Sequence, residues 1–129
     1  GGIEMASVHE VYKCEICGNI VNVLHGGKGQ LVCCGQPMTL LQEKTSVDEG
    51  LEKHVPVLEE GEVLTVRVGS VEHPMTEQHH IEWIEVQEDN GQVQVKFLTP
   101  NDRPMAEFKL SGKPVKVREY CNIHGLWRN

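Results

Sequence analysis

The chain has few aromatic residues, no surplus of basic residues and no long hydrophobic run. Its 129 residues include two each of Trp, Tyr and Phe, so a core must rest on Val, Ile and Leu. Twelve basic residues against nineteen acidic ones give a net charge of −7, which argues against a general binder of nucleic-acid phosphates. No apolar run approaches the roughly 20 residues that span a bilayer, and no signal-peptide pattern opens the chain. A cytoplasmic protein without a membrane or nucleic-acid partner is expected.

The sequence is comparatively rich in metal-binding residue types, with five cysteines and seven histidines. Five is an odd number, so a framework of disulfides would leave one thiol over. In a reducing compartment, clustered cysteines more often bind a metal than form disulfides. The four residues before Met5 are interpreted as an addition to a native chain that starts at Met5.

Residues 1–44 predict a small domain that is rich in glycine and cysteine. Residues 19–24 and 30–32 are apolar enough for strands, and a glycine-rich turn lies between them. About 30 residues cannot bury enough surface to fold without an added constraint. A metal ion held by four thiolates would supply that constraint.

Residues 45–129 carry the pattern of an antiparallel β-sandwich. Turn signals rich in Gly, Pro, Asn and Asp separate short runs in which apolar and polar residues alternate. No long segment has a convincing helical period. The expected fold class is therefore all-β. The alternating runs occupy residues 64–68, 81–86, 93–97, 106–110 and 115–117.

Two cysteine pairs form the first candidate metal site. Cys14 and Cys17 form a Cys-x-x-Cys turn, and Cys33 and Cys34 are adjacent. Neighbouring side chains of an extended segment point apart, so a local kink, aided by Gly35, is needed for both to reach one ion. Four thiolates suit tetrahedral zinc or iron, and the spacing leaves both metals open. A pair of disulfides is the alternative.

The fifth cysteine and several histidines form the second candidate site. Cys121 and His124 form a Cys-x-x-His pair that could bind one ion from a single loop. A single histidine is more often an ordinary core or surface residue, but this set together with an unpaired cysteine makes a site a reasonable hypothesis. Neighbours on a strand face opposite ways, so only one of the adjacent pair of histidines should point inward. The further candidates are His54, His73, His79 and His80.

Six segments in order resemble desulfoferrodoxin, the two-iron class of superoxide reductase. Together they reach from Tyr12 to Trp127, nearly the whole chain, and six segments in register are highly specific. The segments are Tyr12-Lys13-Cys14-x-x-Cys17-Gly18, Cys33-Cys34, Glu52-Lys53-His54-Val55-Pro56, His73-Pro74-Met75, His79-x-Ile81-x-Trp83 and Cys121-Asn122-x-His124-Gly125-x-Trp127.

The resemblance implies two iron-binding domains. Residues 1–44 would form a desulforedoxin-like domain, and residues 45–129 an immunoglobulin-like antiparallel β-sandwich. The family usually has Tyr where this chain has His80, and motif register favours His79 as the ligand. The first iron would be held by Cys14, Cys17, Cys33 and Cys34. The second would have His54, His73, His79 and His124 as equatorial ligands and Cys121 as the axial thiolate.

The resemblance also implies an activity and its partners. The second iron would reduce superoxide by one electron to hydrogen peroxide, producing no oxygen. Four imidazoles and one thiolate leave a sixth position open for superoxide, and the need for a redox-active metal excludes zinc there. Electrons would come from a small donor such as a rubredoxin-type protein. A homodimer is expected.

Two charged residues beside His54 are the candidate catalytic residues. The ammonium of Lys53 could attract superoxide and hold a water molecule that donates a proton. Glu52 resembles the carboxylate that takes the sixth position of the resting oxidised site in the family. The alternative is that both are an ordinary solvated pair. Trp83 and Trp127 are assigned to core packing.

Two other functions compete with the enzyme. A non-catalytic electron-transfer protein would use the four-cysteine iron, but a five-ligand site with an open position serves no purpose in it. A zinc-stapled binding module is the other alternative. Structural zinc sites are closed and four-coordinate, which does not match the set of four histidines and a cysteine.

Overall fold

The computed structural model describes residues 5–129, so the interpretation of residues 1–4 lies outside the described residues. The chain divides after Leu41 into two compact units. The expected domain boundary, after Lys44, lies three residues further along and stays a prediction. No helix in the described range is long and apolar enough to cross a membrane.

The first unit consists of very short strands. β1 lies at the centre of a three-stranded antiparallel sheet between β2 and β5, and β3 pairs with β4. The two predicted strands are present, but they do not pair with each other, because a cysteine turn follows each of β1 and β3 and returns the chain locally. The strands are β1 (Val11–Lys13), β2 (Ile20–Asn22), β3 (Val32–Cys33), β4 (Gln36–Pro37) and β5 (Thr39–Leu40).

The second unit is an antiparallel β-sandwich, as the alternation predicts. One sheet has the order β10-β7-β6 and the other β12-β11-β8-β9. The bounds of β7 and β9 are those predicted from the sequence. The elements are α1 (Leu51–His54), β6 (Pro56–Glu59), β7 (Leu64–Val68), β8 (Ile81–Glu88), β9 (Val93–Phe97), β10 (Met105–Phe108), β11 (Pro114–Cys121) and β12 (Gly125–Arg128).

Aliphatic side chains from both sheets form the core of the sandwich. Alternate residues of β7 point inward because side chains of a strand alternate between its faces. Burying one such side chain fully is worth about 1.5–3 kcal/mol. The two sheets are therefore held together by hydrophobic packing, in which Cys121, one of the candidate ligands, also takes part. The most deeply buried members are Val66, Ile81, Ile84, Val86, Val117 and Cys121.

A network of buried charges lies on the opposite face of the four-stranded sheet. The guanidinium of Arg118 donates to both carboxylate oxygens of Glu85, at 2.7 and 2.9 Å. It also donates to Glu43 at 3.1 Å, and Lys116 donates to the same carboxylate at 2.9 Å. These bonds fix the segment that carries Glu43 against β11 of the same unit.

Candidate metal centres

Four sulfur atoms gather at two turns of the first unit. The Sγ atoms of Cys17 and Cys33 are 3.6 Å apart, and those of Cys33 and Cys34 are 4.0 Å apart. All four Sγ atoms, including that of Cys14, lie within 4.8 Å of one another. The predicted kink is confirmed, since Cys34 has a φ of 53° and Gly35 a φ of 78°.

The four thiols are free, and their surroundings suit a cation. Disulfide sulfurs are bonded at about 2.05 Å, whereas all five cysteines of the chain are free here. The backbone N–H of Cys17 lowers the pKa of Cys14 to about 6, and hydrogen bonding with the neighbouring sulfur of Cys17 raises the pKa of Cys34 to about 12. One thiolate therefore forms readily and the last only with difficulty. A bound metal ion would supply the positive charge that stabilises all four thiolates.

The candidate ligands of the second unit come from three segments. His54 is the last residue of α1, and the loop between β7 and β8 supplies two further histidines. Cys121 ends β11, and His124 lies in the turn before β12. The ligand atoms of the five residues lie within 4.8 Å of one another. The loop histidines are His73 and His79.

The four imidazoles form a closed ring of contacts. Ring centroids are 4.9 Å apart between His54 and His73, and 4.7 Å apart between His73 and His79. His124 closes the ring, at 5.0 Å from His79 and 4.7 Å from His54. Each imidazole contacts its neighbours edge to face, so the four can surround a common point.

The orientation of the imidazoles leaves their second nitrogens available to a metal. Nδ1 of His54 is 2.8 Å from the carbonyl oxygen of Gly50, and Nδ1 of His73 is 2.7 Å from that of Pro74. A carbonyl only accepts, so each Nδ1 carries the proton and each Nε2 keeps its lone pair. The Nε2 atoms of His54, His73 and His79 are buried without a hydrogen-bond partner. Buried polar atoms normally have partners, and a metal ion would supply one here.

Burial also favours the neutral form of three of the imidazoles. Desolvation lowers the pKa of His73 to about 4 and lowers the pKa values of His54 and His79. A neutral imidazole is the form that binds a metal. The donor set and its protonation state therefore fit a nitrogen-rich transition-metal site.

Cys121 lies fully buried beneath this group. Its Sγ is 3.8 Å from Nδ1 of His124 and accepts a hydrogen bond from the backbone N–H of His124 at 3.4 Å. Burial raises the pKa of the thiol, and the hydrogen bond from the His124 backbone N–H opposes that rise. A metal ion would favour the thiolate.

A cleft of about 630 Å³ borders the second group of ligands. Glu52 and Lys53, the two candidate catalytic residues, line it together with His54 and His124. Both have exposed side chains and lie on α1. The charge of Lys53 reaches the imidazole of His79, where it helps to lower the pKa. The structure thus brings both residues to the cleft, while their catalytic roles stay predictions.

His80 is separate from the ligand group. Its Nδ1 lies 2.9 Å from the carbonyl oxygen of Thr76, and its backbone N–H donates to Asn122 at 2.9 Å. Of the two adjacent histidines, His79 alone belongs to the group of five.

Several residues that shape the second centre were not selected from the sequence. Gly69 has a φ of 82°, and a Cβ there would lie 2.7 Å from the backbone of Lys53, so the loop after β7 approaches α1 closely. No local sequence pattern marks this glycine, because the close approach of α1 exists only in the folded chain. Trp127, assigned to core packing, is buried but stacks on His54, with centroids 4.7 Å apart and an interplanar angle of 13°.

Comparisons with known proteins agree with this two-centre arrangement. A family model described as the N-terminal domain of desulfoferrodoxin matches residues 6–41, and a desulfoferrodoxin model matches residues 46–129. The chain belongs to the desulfoferrodoxin family. Its four-cysteine and four-histidine-plus-cysteine groups match the two-iron pattern of that family.

Individual relatives extend the family match over the whole chain. A desulfoferrodoxin homolog of Archaeoglobus fulgidus is 61% identical and is matched over 97% of this chain and 99% of its own length. A superoxide reductase of Pyrococcus abyssi is 39% identical over 60% of this chain and 84% of its own. The crystal structure of the superoxide reductase from Treponema pallidum has a TM-score of 0.77 and 26% identity, covering 100% of this chain and 99% of that one.

Proposed function

We propose that the chain is a superoxide reductase. The reaction adds one electron and two protons to superoxide and gives one hydrogen peroxide, without producing oxygen. The observation that carries the proposal is the group formed by the closed ring of four imidazoles and the buried Cys121, beside an open cleft. Membership of the desulfoferrodoxin family and similarity to proteins named superoxide reductase support it.

Iron at the second centre would supply the electron, which zinc, having no accessible redox state, could not do. The chain's own residues would hold it by the Nε2 atoms of His54, His73 and His79, by Nδ1 of His124 and by Sγ of Cys121. The carbonyls of Gly50 and Pro74 keep two of the imidazoles in the required tautomer. The backbone N–H of His124 withdraws electron density from the Cys121 sulfur and so moderates its donation.

Lys53 and Glu52 would act from the cleft. The net charge of −7 repels superoxide at long range, and the ammonium of Lys53 offsets that repulsion locally. Lys53 also has N–H donors that can hold a proton-donating water molecule. Glu52, whose exposed carboxylate lines the same cleft, would supply an exchangeable ligand to the oxidised metal.

The first unit would pass electrons to the reaction. Two of its cysteines, Cys17 and Cys34, are exposed, which favours electron exchange with a small rubredoxin-type donor. The same observation favours the second candidate function, an electron-transfer protein without catalysis. We further propose a homodimer and a cytoplasmic location, where the reducing environment keeps the five thiols of the chain free.

Peroxide yield tests the proposed activity. Protein containing two irons per chain, pre-reduced, should convert each superoxide from a radiolysis pulse into one hydrogen peroxide and release no oxygen. A dismutase would give half as much peroxide together with oxygen. A non-catalytic electron carrier would show no fast bimolecular reaction at the second centre. Either result would contradict the proposal.

Lys53→Ala tests the local attraction of superoxide. Removing one cation beside the cleft should slow the bimolecular reaction on the order of tenfold and weaken its dependence on ionic strength. Lys53→Arg should retain most of the rate, and Lys109→Ala, which alters an exposed lysine on another part of the sandwich, is the matched control. An unchanged rate in Lys53→Ala would remove this residue from the mechanism.

A further inference from the structure

Lys44 lies on a segment that is hydrogen-bonded along the last strand of the sandwich. Its backbone N–H donates to Leu126 at 2.9 Å, and its carbonyl accepts from the backbone N–H of Arg128 at 2.9 Å. Adjacent residues of an extended segment point in opposite directions. Glu43 accordingly pairs with Arg118 on the outer face of the sheet, and Lys44 turns towards the second candidate centre.

The Lys44 side chain makes two specific contacts at that centre. Its Nζ donates to the carbonyl oxygen of His124 at 2.9 Å and lies 5.5 Å from the ring centroid of Trp127. The indole Nε1 of Trp127 donates to the same carbonyl at 3.1 Å. Both lone pairs of the carbonyl can thus be used, one by a charged donor.

These contacts join two candidate ligands that come from different segments. Trp127 stacks on the imidazole of His54, while the shared carbonyl belongs to His124. The ammonium of Lys44, the indole and the His54 ring therefore form one continuous stack beside the ligand group, with a cation–π contact at its outer end. Lys44 lines the same cleft as Lys53.

We propose that Lys44 is a positioning residue of the second centre, which holds the His124 carbonyl and the Trp127 indole in place and raises the reduction potential of the bound iron. Loss of an electron increases the positive charge of the centre, and a fixed ammonium nearby disfavours that increase. The inference rests on the proposed iron-binding function. It extends that function to a residue outside the family's ligand and lysine motifs.

The test compares three variants of the iron-loaded full chain: Lys44→Gln, Lys44→Arg and the exposed control Lys109→Gln. The reduction potential of the second centre is measured by redox titration of its visible thiolate band. Iron loss from the same centre to a chelator is timed separately. Lys44→Gln should lower the potential and accelerate iron loss on the order of three- to tenfold, the effect of losing one charge-assisted hydrogen bond. Lys44→Arg should keep both properties close to those of the unaltered protein.

The outcomes separate this inference from the proposed function. A Lys44→Gln potential and rate of iron loss equal to those of Lys109→Gln would overturn the inference. Equal losses in Lys44→Arg and Lys44→Gln would also overturn it, because Arg keeps the charge. Loss of the second iron alone from Lys44→Gln would support it. An unaltered protein that binds two irons but does not reduce superoxide would contradict the proposed function only, since neither readout depends on turnover.

Discussion

The two candidate centres lie in units that achieve their stability in different ways. Among residues 5–41 the buried hydrophobic side chains are few, and the cysteines lie at turns that connect strands of two or three residues. The sandwich has a continuous core of eleven buried residues, and strands of up to eight residues carry or flank its ligands. In the first unit the metal must organise the polypeptide, whereas in the second the polypeptide organises the metal site.

The protonation states of the ligands show the same difference. At the first centre, crowding of the thiols raises the pKa of Cys34 to about 12, so four thiolates require the ion. At the second, burial favours the neutral form of His73, and the carbonyl of Pro74 fixes the orientation of its ring. A site organised in advance by the fold can keep a coordination position open for substrate. A site that forms only around its ion, as at the first centre, uses all of its ligands to complete the coordination shell of the metal.

The largest expected effect comes from removing one thiolate from each centre. Cys14→Ser should release the first iron and unfold residues 5–41, because a structural metal contributes on the order of 10 kcal/mol to the folding of a small domain. Cys121→Ser should abolish the visible thiolate band of the second centre, while the sandwich stays folded on its hydrophobic core. Amide hydrogen exchange, followed separately for the two units, measures which unit unfolds in each variant. Visible absorption measures the thiolate band.

Equal protection from amide exchange in the two units, in both variants, would contradict this difference between the units. A first unit that stays protected without iron would mean that its few buried residues suffice to fold it. Retention of the second thiolate band in Cys121→Ser would mean that this cysteine is not a ligand.

A smaller effect is expected from a cavity in the sandwich. Ile84 is fully buried between the sheets, and Ile84→Ala should lower the free energy of unfolding of the second unit by about 2–5 kcal/mol. The visible bands of the first iron should persist through that transition. Val95→Ala, on the neighbouring strand and 42% exposed, is the control and should change stability little. A loss of the first centre in parallel with the second would contradict independent stabilisation of the two units.

Parts of the sandwich could be predicted because apolar and polar residues alternate along its strands. Alternation located β7 at its observed bounds because its apolar face is buried, and it also located β9, although Val93, Val95 and Phe97 of that strand are exposed. The candidate ligands could be predicted because a set of so many cysteines and histidines at turns rarely has another role. The choice of His79 over His80 needed the family motif, as alternation shows only that one of the two faces inward.

The rest depends on contacts between distant residues that leave no local pattern. The kink at Cys34 was predicted from the adjacent cysteines and Gly35, but the pairing of β3 with β4 that accompanies it was not. The alignment of Lys44 with β12 is set by backbone hydrogen bonds, which any residue could make. Gly69 is required by the approach of α1, and that approach exists only in the folded chain.

The smallest expected effect comes from the ion pairs of the sandwich. A partly buried pair is compared with an exposed one. Burial opposes ionisation of Glu43, but hydrogen bonds from Lys116 and Arg118 outweigh it and hold the pKa of the carboxyl below its usual value. A depressed pKa stabilises the folded state above the ordinary pKa, and this stability is lost as the pH falls through the folded value. Glu43→Gln should therefore lower the free energy of unfolding by about 1–2 kcal/mol at neutral pH, and the difference should shrink as the pH falls below the ordinary pKa of the carboxyl and vanish below its lowered folded value.

The matched control is Glu59→Gln, which breaks the bond from Arg67 to Glu59 at 2.8 Å. Those side chains are 41% and 56% exposed, so solvent screens the pair and the expected change is below about 1 kcal/mol. Chemical denaturation of the second unit at several pH values measures both variants. Equal, pH-independent changes would mean that the Glu43 segment is held by its backbone bonds to β12 alone. A larger, acid-sensitive change in Glu43→Gln would identify the buried charges as the interaction that keeps Lys44 beside the second centre.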